Sequence, residues 1–156
     1  MKVLILYYTR TGHTLEAAQA AAEGIRSAGS EAALIPLNEF EAADLTAADA
    51  LIVGSPCWAG SMTPMGIALP MYRALKDLPE TAASGKRCGG ISVHAGMGGE
   101  TTVATIGKVL AQKGCTDYLP GPAARAGSPL SLWTGPEVSP EDLARFRAYG
   151  AAFVGT

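Results

Sequence analysis

Histidine and cysteine are scarce in this chain, and their scarcity removes the common metal chemistry. There are two histidines and three cysteines. Cys57, Cys88 and Cys115 form no CxxC pair and are odd in number, so no zinc pattern can be assembled and no metal site is expected. This cysteine usage fits a reducing, cytoplasmic setting. Charge of one sign is also lacking. A formal net charge of −2 supplies neither the basic stripe that nucleic acid requires nor a long-range field for a strongly charged partner. No stretch approaches about 20 uninterrupted apolar residues, so no membrane span is expected. Lys2-Val-Leu-Ile-Leu-Tyr-Tyr8 is too short for the core of a signal peptide and lacks a small-residue cleavage site. Internal repeats and low-complexity tracts are absent as well.

What is present is the composition of one folded domain, residues 1–156. Hydrophobic residues make up 48% and charged residues 17%, which is far from the composition of disordered chains. Short apolar runs alternate with longer helical stretches. Val3-Leu-Ile-Leu-Tyr-Tyr8 is continuous, as a strand covered on both faces should be. Thr14 to Ala28 is Ala-rich, with Leu15, Ala18, Ala22 and Ile25 on one helical face, and Gly29 stops it. Glu31 to Leu37 reads as a second strand, Glu39 to Leu45 as a short acidic helical segment, and Asp49 to Ser55 as a third strand. Thr63-Pro64 has the form of an N-cap with proline in the first turn. A helix is expected from there to about Lys76, with Pro70 either kinking it or delaying its start. Lys86 to His94 is the fourth strand. Glu100 to Lys113 is a helix with Val103, Ile106 and Leu110 on one face and Gly114 as its stop. Cys115 to Leu119 is a candidate fifth strand. Residues 121–138, rich in proline and glycine, predict a long irregular loop. Ser139-Pro-Glu-Asp142 opens a last helix that runs to about Phe153.

Five β-α repeats with right-handed crossovers make an α/β fold, a three-layer α-β-α sandwich around a five-stranded parallel sheet. Ligands of such sheets sit at the carboxyl ends of the strands, where the strand order reverses. Three segments fall there: residues 9–14, 55–62 and 94–99.

Thr9-Arg-Thr-Gly-His-Thr14 carries three hydroxyls and a glycine at the start of a helix. Converging amides and the helix dipole would hold a phosphate there; an ordinary turn with Thr14 as N-cap fits the spacing equally. Neither GxxxxGK[ST] nor GxGxxG occurs, which argues against a P-loop NTPase. Gly54-Ser-Pro-Cys-Trp-Ala-Gly-Ser61 places Trp58 where it can stack on a flat aromatic ring or tuck into the core. Cys57 has no arginine at the spacing of a Cys-x5-Arg phosphatase loop, since Thr63 stands there, so a buried thiol is the simpler reading. Val93-His-Ala-Gly-Met-Gly-Gly-Glu100 offers backbone amides, and His94 suits a ligand contact or a strand end alike. Trp133 reads as lid or core.

These residues resemble one family. Tyr8-Thr-Arg-Thr-Gly-His-Thr14 is similar to the flavodoxin fingerprint [ST]-x-T-G-x-T, and strand-Gly-Ser-Pro-x-Trp-x-Gly is similar to the loop that flanks the flavin in flavodoxins and flavodoxin-like quinone reductases. The resemblance implies strand order 2-1-3-4-5 and non-covalent FMN. Thr9, Arg10, Thr11, Gly12, His13 and Thr14 would surround its phosphate, with Ser55 helping. Pro56, Cys57, Trp58, Ala59 and Gly60 would border the ring, together with His94, Ala95, Gly96, Met97, Gly98 and Gly99. A peptide flip at Ala59-Gly60 would present a carbonyl to the flavin N5. Arg10 and His13 depart from a neutral loop; either adds positive charge near the phosphate or faces solvent.

The function this implies is that of an electron carrier without catalytic side chains, shuttling between redox partner proteins, a reductase and an electron acceptor. The alternative is an NAD(P)H-dependent quinone reductase of the tryptophan-repressor-binding-protein type, which the Gly-Gly-Glu ending of the third loop resembles. A flavin-free interaction module is a third reading, and self-association is left open.

Overall fold

The computed structural model describes residues 1–10, 12–57, 66–95, 98–126 and 137–155. The elements follow one another as β1 (Lys2–Tyr7), α1 (His13–Ser27), β2 (Glu31–Pro36), α2 (Ala42–Thr46), β3 (Ala50–Pro56), α3 (Leu69–Lys76), β4 (Arg87–His94), α4 (Gly99–Ala111), β5 (Asp117–Arg125) and α5 (Pro140–Gly155). The five strands form one parallel sheet in the order β2-β1-β3-β4-β5, as the resemblance implied.

Alternate residues of each inner strand face opposite layers, which is why β1 and β3 read as unbroken apolar runs. Val3, Ile5 and Tyr7 of β1 join Ile52, Ile91 and the α1 and α5 residues Ala17, Ala21, Ile25, Phe146 and Phe153. Leu4 and Leu6 join Leu51, Val53 and the α3 and α4 residues Met71, Leu75, Ile106 and Leu110. The helix on β3's exit begins only at Leu69, with Pro70 in its first turn. Proline therefore delays the helix rather than kinking it, because its missing N–H costs nothing there. The proposed Thr63-Pro64 cap lies outside the described residues. Ser139 caps α5 as expected: its Oγ accepts from the Asp142 N–H at 3.1 Å.

β5 is longer than the sequence suggests and takes in Pro120, Gly121 and Pro122. It lies at the sheet edge, where a residue without an N–H breaks no inner ladder. Gly90 pairs with Pro120 and Ser92 with Ala123, so one residue of β4 faces two of β5, and the bulge absorbs the glycine and second proline. Trp133 lies outside the described residues.

α1 and α5 cross closely because glycines meet backbone. A Cβ on Gly24 would overlap the Arg147 carbonyl, and one on Gly150 would overlap the Ala21 carbonyl. Since a backbone carbonyl cannot step aside alone, Gly150→Ala should lower unfolding stability by roughly 1–3 kcal/mol, read as a lower urea midpoint at unchanged slope. The exposed Arg147–Glu23 pair on the same crossing, Nε to Oε2 at 2.9 Å, should contribute at most about 1 kcal/mol.

Candidate functional site

The carboxyl ends of β1, β3 and β4 carry the three loops singled out by sequence. In the first, the ladder continues one residue past β1, with Tyr8 N–H donating to Gly54 O at 3.0 Å. The Thr9 hydroxyl then accepts from Gly12 N–H at 2.9 Å, which closes the turn and leaves the hydroxyl's own proton to be donated elsewhere. Gly12 adopts φ 92°, in the left-handed region, and is the N-cap of α1 with no side-chain capping bond. Thr14 is therefore not the cap. It is the second helical residue, 2% exposed, and its methyl packs 3.3 Å from where a Cβ on Gly54 would be. The opening amides of α1, at His13, Thr14 and Leu15, have no intrahelical acceptor, and the helix dipole adds positive potential at the same point.

The two candidates Arg10 and His13 of this loop part company. Arg10 is exposed. His13 is 4% exposed, and its Nδ1 lies 3.2 Å from Glu16 Oε1 one turn along α1, so it is buried against its own helix and does not face solvent. Thr11 lies outside the described residues.

In the second loop Ser55 is fully buried. Its hydroxyl donates to Pro56 O at 2.8 Å and accepts from Ala68 N–H at 3.1 Å. Gly54 faces Thr14, so Ser55, the next residue along the strand, points to the other sheet face. The Ser55 hydroxyl thus fastens the returning chain to β3. Pro56 and Cys57 are half-buried, and Cys57 forms an antiparallel bridge with Ile67. Trp58, Ala59 and Gly60, with the flip assigned to them, lie outside the described residues.

In the third loop His94 and Ala95 are half-buried. His94 is a strand-end residue, its carbonyl accepting from Ala126 N–H at 2.9 Å. Its ring lies against Gly99, where a Cβ would overlap the ring and crowd the Ala123 methyl. Gly98 is the N-cap of α4 at φ 97°; Thr102 bonds back to the Gly98 carbonyl through its N–H at 2.9 Å and its hydroxyl at 3.0 Å. Gly96 and Met97 lie outside the described residues.

Sequence reading missed Gly66. It adopts φ 82° beside Cys57 and Thr102, in a stretch expected to be helical. A glycine just ahead of Leu69-Pro70 was the available signal of a turn. Among the described residues, no group of three or more His, Cys, Asp or Glu could hold a metal ion, and no helix is long and apolar enough to cross a membrane.

The donor set at the start of α1 fits a phosphate: a glycine at positive φ, opening amides with no acceptor inside the helix, a threonine hydroxyl whose proton is left to donate, and open space beyond the Gly12 α-carbon, where a Cβ would meet nothing within 4 Å. Together with the strand order, it defines a doubly wound α/β protein with its ligand end at the reversal of strand order between β1 and β3.

Comparison with known proteins agrees. The family model described as flavodoxin matches residues 5–125. A flavodoxin of Aquifex aeolicus is 38% identical over 110 residues, 67% of this chain and 56% of that protein. An NAD(P)H dehydrogenase (quinone) of Gluconacetobacter diazotrophicus is 37% identical where 39% of this chain aligns with 41% of that protein. The chain thus spans about half the length of the curated relatives it matches. Among solved structures, a flavodoxin from the domain Archaea superposes with a TM-score of 0.80 at 19% identity, covering 99% of this chain and 97% of the other. Two-electron reduced Megasphaera elsdenii flavodoxin superposes with a TM-score of 0.76 at 16% identity, covering 99% of each. The chain belongs to the flavodoxin family.

Proposed function

We propose that this chain binds FMN non-covalently and passes electrons between a reductase and an electron acceptor protein. The observation that carries this reading is the start of α1, where Gly12 caps the helix from the left-handed region without a side-chain bond, and where the opening amides have no acceptor within the helix. Those amides bind the FMN phosphate, and the Thr9 hydroxyl adds a charge-assisted hydrogen bond; Thr11 and Thr14 complete the loop. Pro56 to Gly60 and His94 to Gly99 border the flavin ring and keep water from it. FMN supplies reversible one- and two-electron transfer, so no side chain need act on a substrate. Purified protein should carry, or take up, FMN with the visible absorption bands of a bound flavin, and should prefer FMN to riboflavin. Protein that binds neither after reconstitution overturns the reading.

A quinone reductase is the second reading, favoured by the similarity to the quinone dehydrogenase and by Gly98-Gly99-Glu100. NAD(P)H oxidation with benzoquinone, measured beside the oligomeric mass, separates the two. Turnover by a higher oligomer supports the enzyme, and its absence supports the carrier.

A further inference from the structure

Cys57 is the last described residue before the loop that carries Trp58, and Gly66 is the first after it. The neck of that loop is closed by the Cys57–Ile67 bridge and by the Ala68 N–H on the Ser55 hydroxyl. Ile67 and Ala68 are fully buried, so the returning side is fixed in the core. Cys57 is half-buried, and its sulfur lies close to both sides of a seam. It sits between the two other segments of the site: a Cβ on Gly66 would lie 2.7 Å from it, and a Cβ on Gly98 would lie 2.9 Å from it. Both glycines have positive φ, 82° and 97°, and both are thereby held to the shape that receives the sulfur. Thr102 braces the same point. Its hydroxyl donates to Gly98 O at 3.0 Å and lies 3.3 Å from the Cβ position of Gly66.

We propose that Cys57 is a positioning residue, whose thiol clamps the neck of the Trp58 loop onto the third loop and so holds the two segments that border the flavin ring at a fixed separation. This rests on the flavin reading above. The steric argument is direct. Two glycines without Cβ atoms leave room for a side chain of two heavy atoms and for nothing longer. Leucine at 57 must displace Gly66, Gly98 or both, because close-packed backbone has no slack to offer. Alanine leaves a gap the size of one sulfur and lets the loops slide. Serine keeps the length of the side chain.

The experiment measures two quantities on the full chain. Hydrogen exchange of FMN-free protein is followed over residues 57–68 and 95–102, and the FMN dissociation constant is read from quenching of flavin fluorescence. Cys57→Leu should speed exchange in both segments together and weaken FMN at least about 10-fold, which is a loss of roughly one unit in log Kd. Cys57→Ala, which cannot overpack, should move both quantities in the same direction by less, and Cys57→Ser should restore most of the wild-type behaviour. Unchanged exchange in both segments of Cys57→Leu and Cys57→Ala overturns the clamp. Faster exchange with unaltered FMN affinity overturns its role at the ring. Should the wild type take up no FMN, the flavin reading and the ring role fall together, and the exchange comparison alone still decides whether the thiol joins the two loops.

Discussion

Gly12→Val should weaken FMN binding by about 100-fold or more while the protein stays folded, a loss on the scale of one or two charge-assisted hydrogen bonds. The fold has room for the new side chain, since a Cβ at this position meets nothing within 4 Å. The penalty is in the backbone. A φ of 92° is a genuine outlier for a β-branched residue, costing roughly 1–2 kcal/mol. The loop relieves it by rotating Gly12 out of the left-handed region. That rotation breaks the Gly12 N–H bond to the Thr9 hydroxyl and turns the first amides of α1 away from a common point. A phosphate loses its cradle, whereas a flavin without one has nothing to lose there. Calorimetric titration with FMN and with riboflavin therefore gives a sharp outcome: FMN affinity falls, riboflavin affinity holds, and the preference between them disappears. Equal loss for both ligands would show that the loop supports the ring rather than the phosphate. No loss for FMN would place the anion elsewhere.

The local part of this architecture was legible in the chain. Apolar runs such as Val3 to Tyr7 mark strands covered on both sides, and Gly29 and Gly114 mark helix ends because each adopts positive φ just past the last turn. The turn at Gly12 was legible for the same reason, since a glycine flanked by threonines between strand and helix is a local pattern. What could not be read depends on neighbours remote in sequence. Pro120 and Pro122 mark a loop unless their strand is known to be the sheet edge, and only the order β2-β1-β3-β4-β5 supplies that. The direction of the Ser55 side chain follows from where β3 ends and from the return of Ala68, thirteen residues on. His13 could be read either as a contact of the first loop or as solvent-facing; its burial at 4% exposure depends on the fold, with α1 beginning at His13 itself. The seat of Cys57 between Gly66 and Gly98 joins segments that no periodicity connects.

Stability should collapse in alkali, and the pattern of loss is specific. Gly89 and Gly90 of β4 lie under two tyrosine hydroxyls, Tyr149 over one and Tyr118 over the other. Tyr149 donates to Leu119 O at 2.8 Å and Tyr118 to Val103 O at 2.5 Å. Burial is the main cause that pushes Tyr149 well above its ordinary value of 10.0, with Tyr118 adding to it and the Gly90 backbone and Arg87 opposing. Tyr118 is raised from the same value by burial and then by Cys88 and Cys115. The Cys88 thiol is raised from 9.0 by burial, then by Cys115 and more weakly by Asp117, with Lys86 opposing. Each is an acid that the folded state keeps protonated after the unfolded chain has released its proton. Their contribution is fully present below pH 9 and declines as the pH rises through 9 and 10, because the unfolded state then binds fewer protons. Each group shifts the folding equilibrium by at most tenfold per pH unit, and because the three are neighbours that raise one another, their losses set in over the same range. Urea midpoints taken at pH 7, 9, 10 and 11 should fall with increasing steepness. Cys88→Ala should flatten the first part of the fall, between pH 9 and 10, and Tyr118→Phe or Tyr149→Phe the part above 10, each at the cost of a lower midpoint at neutral pH. A midpoint that stays level to pH 11 in the unaltered protein would mean that these side chains meet water and lose their protons without unfolding.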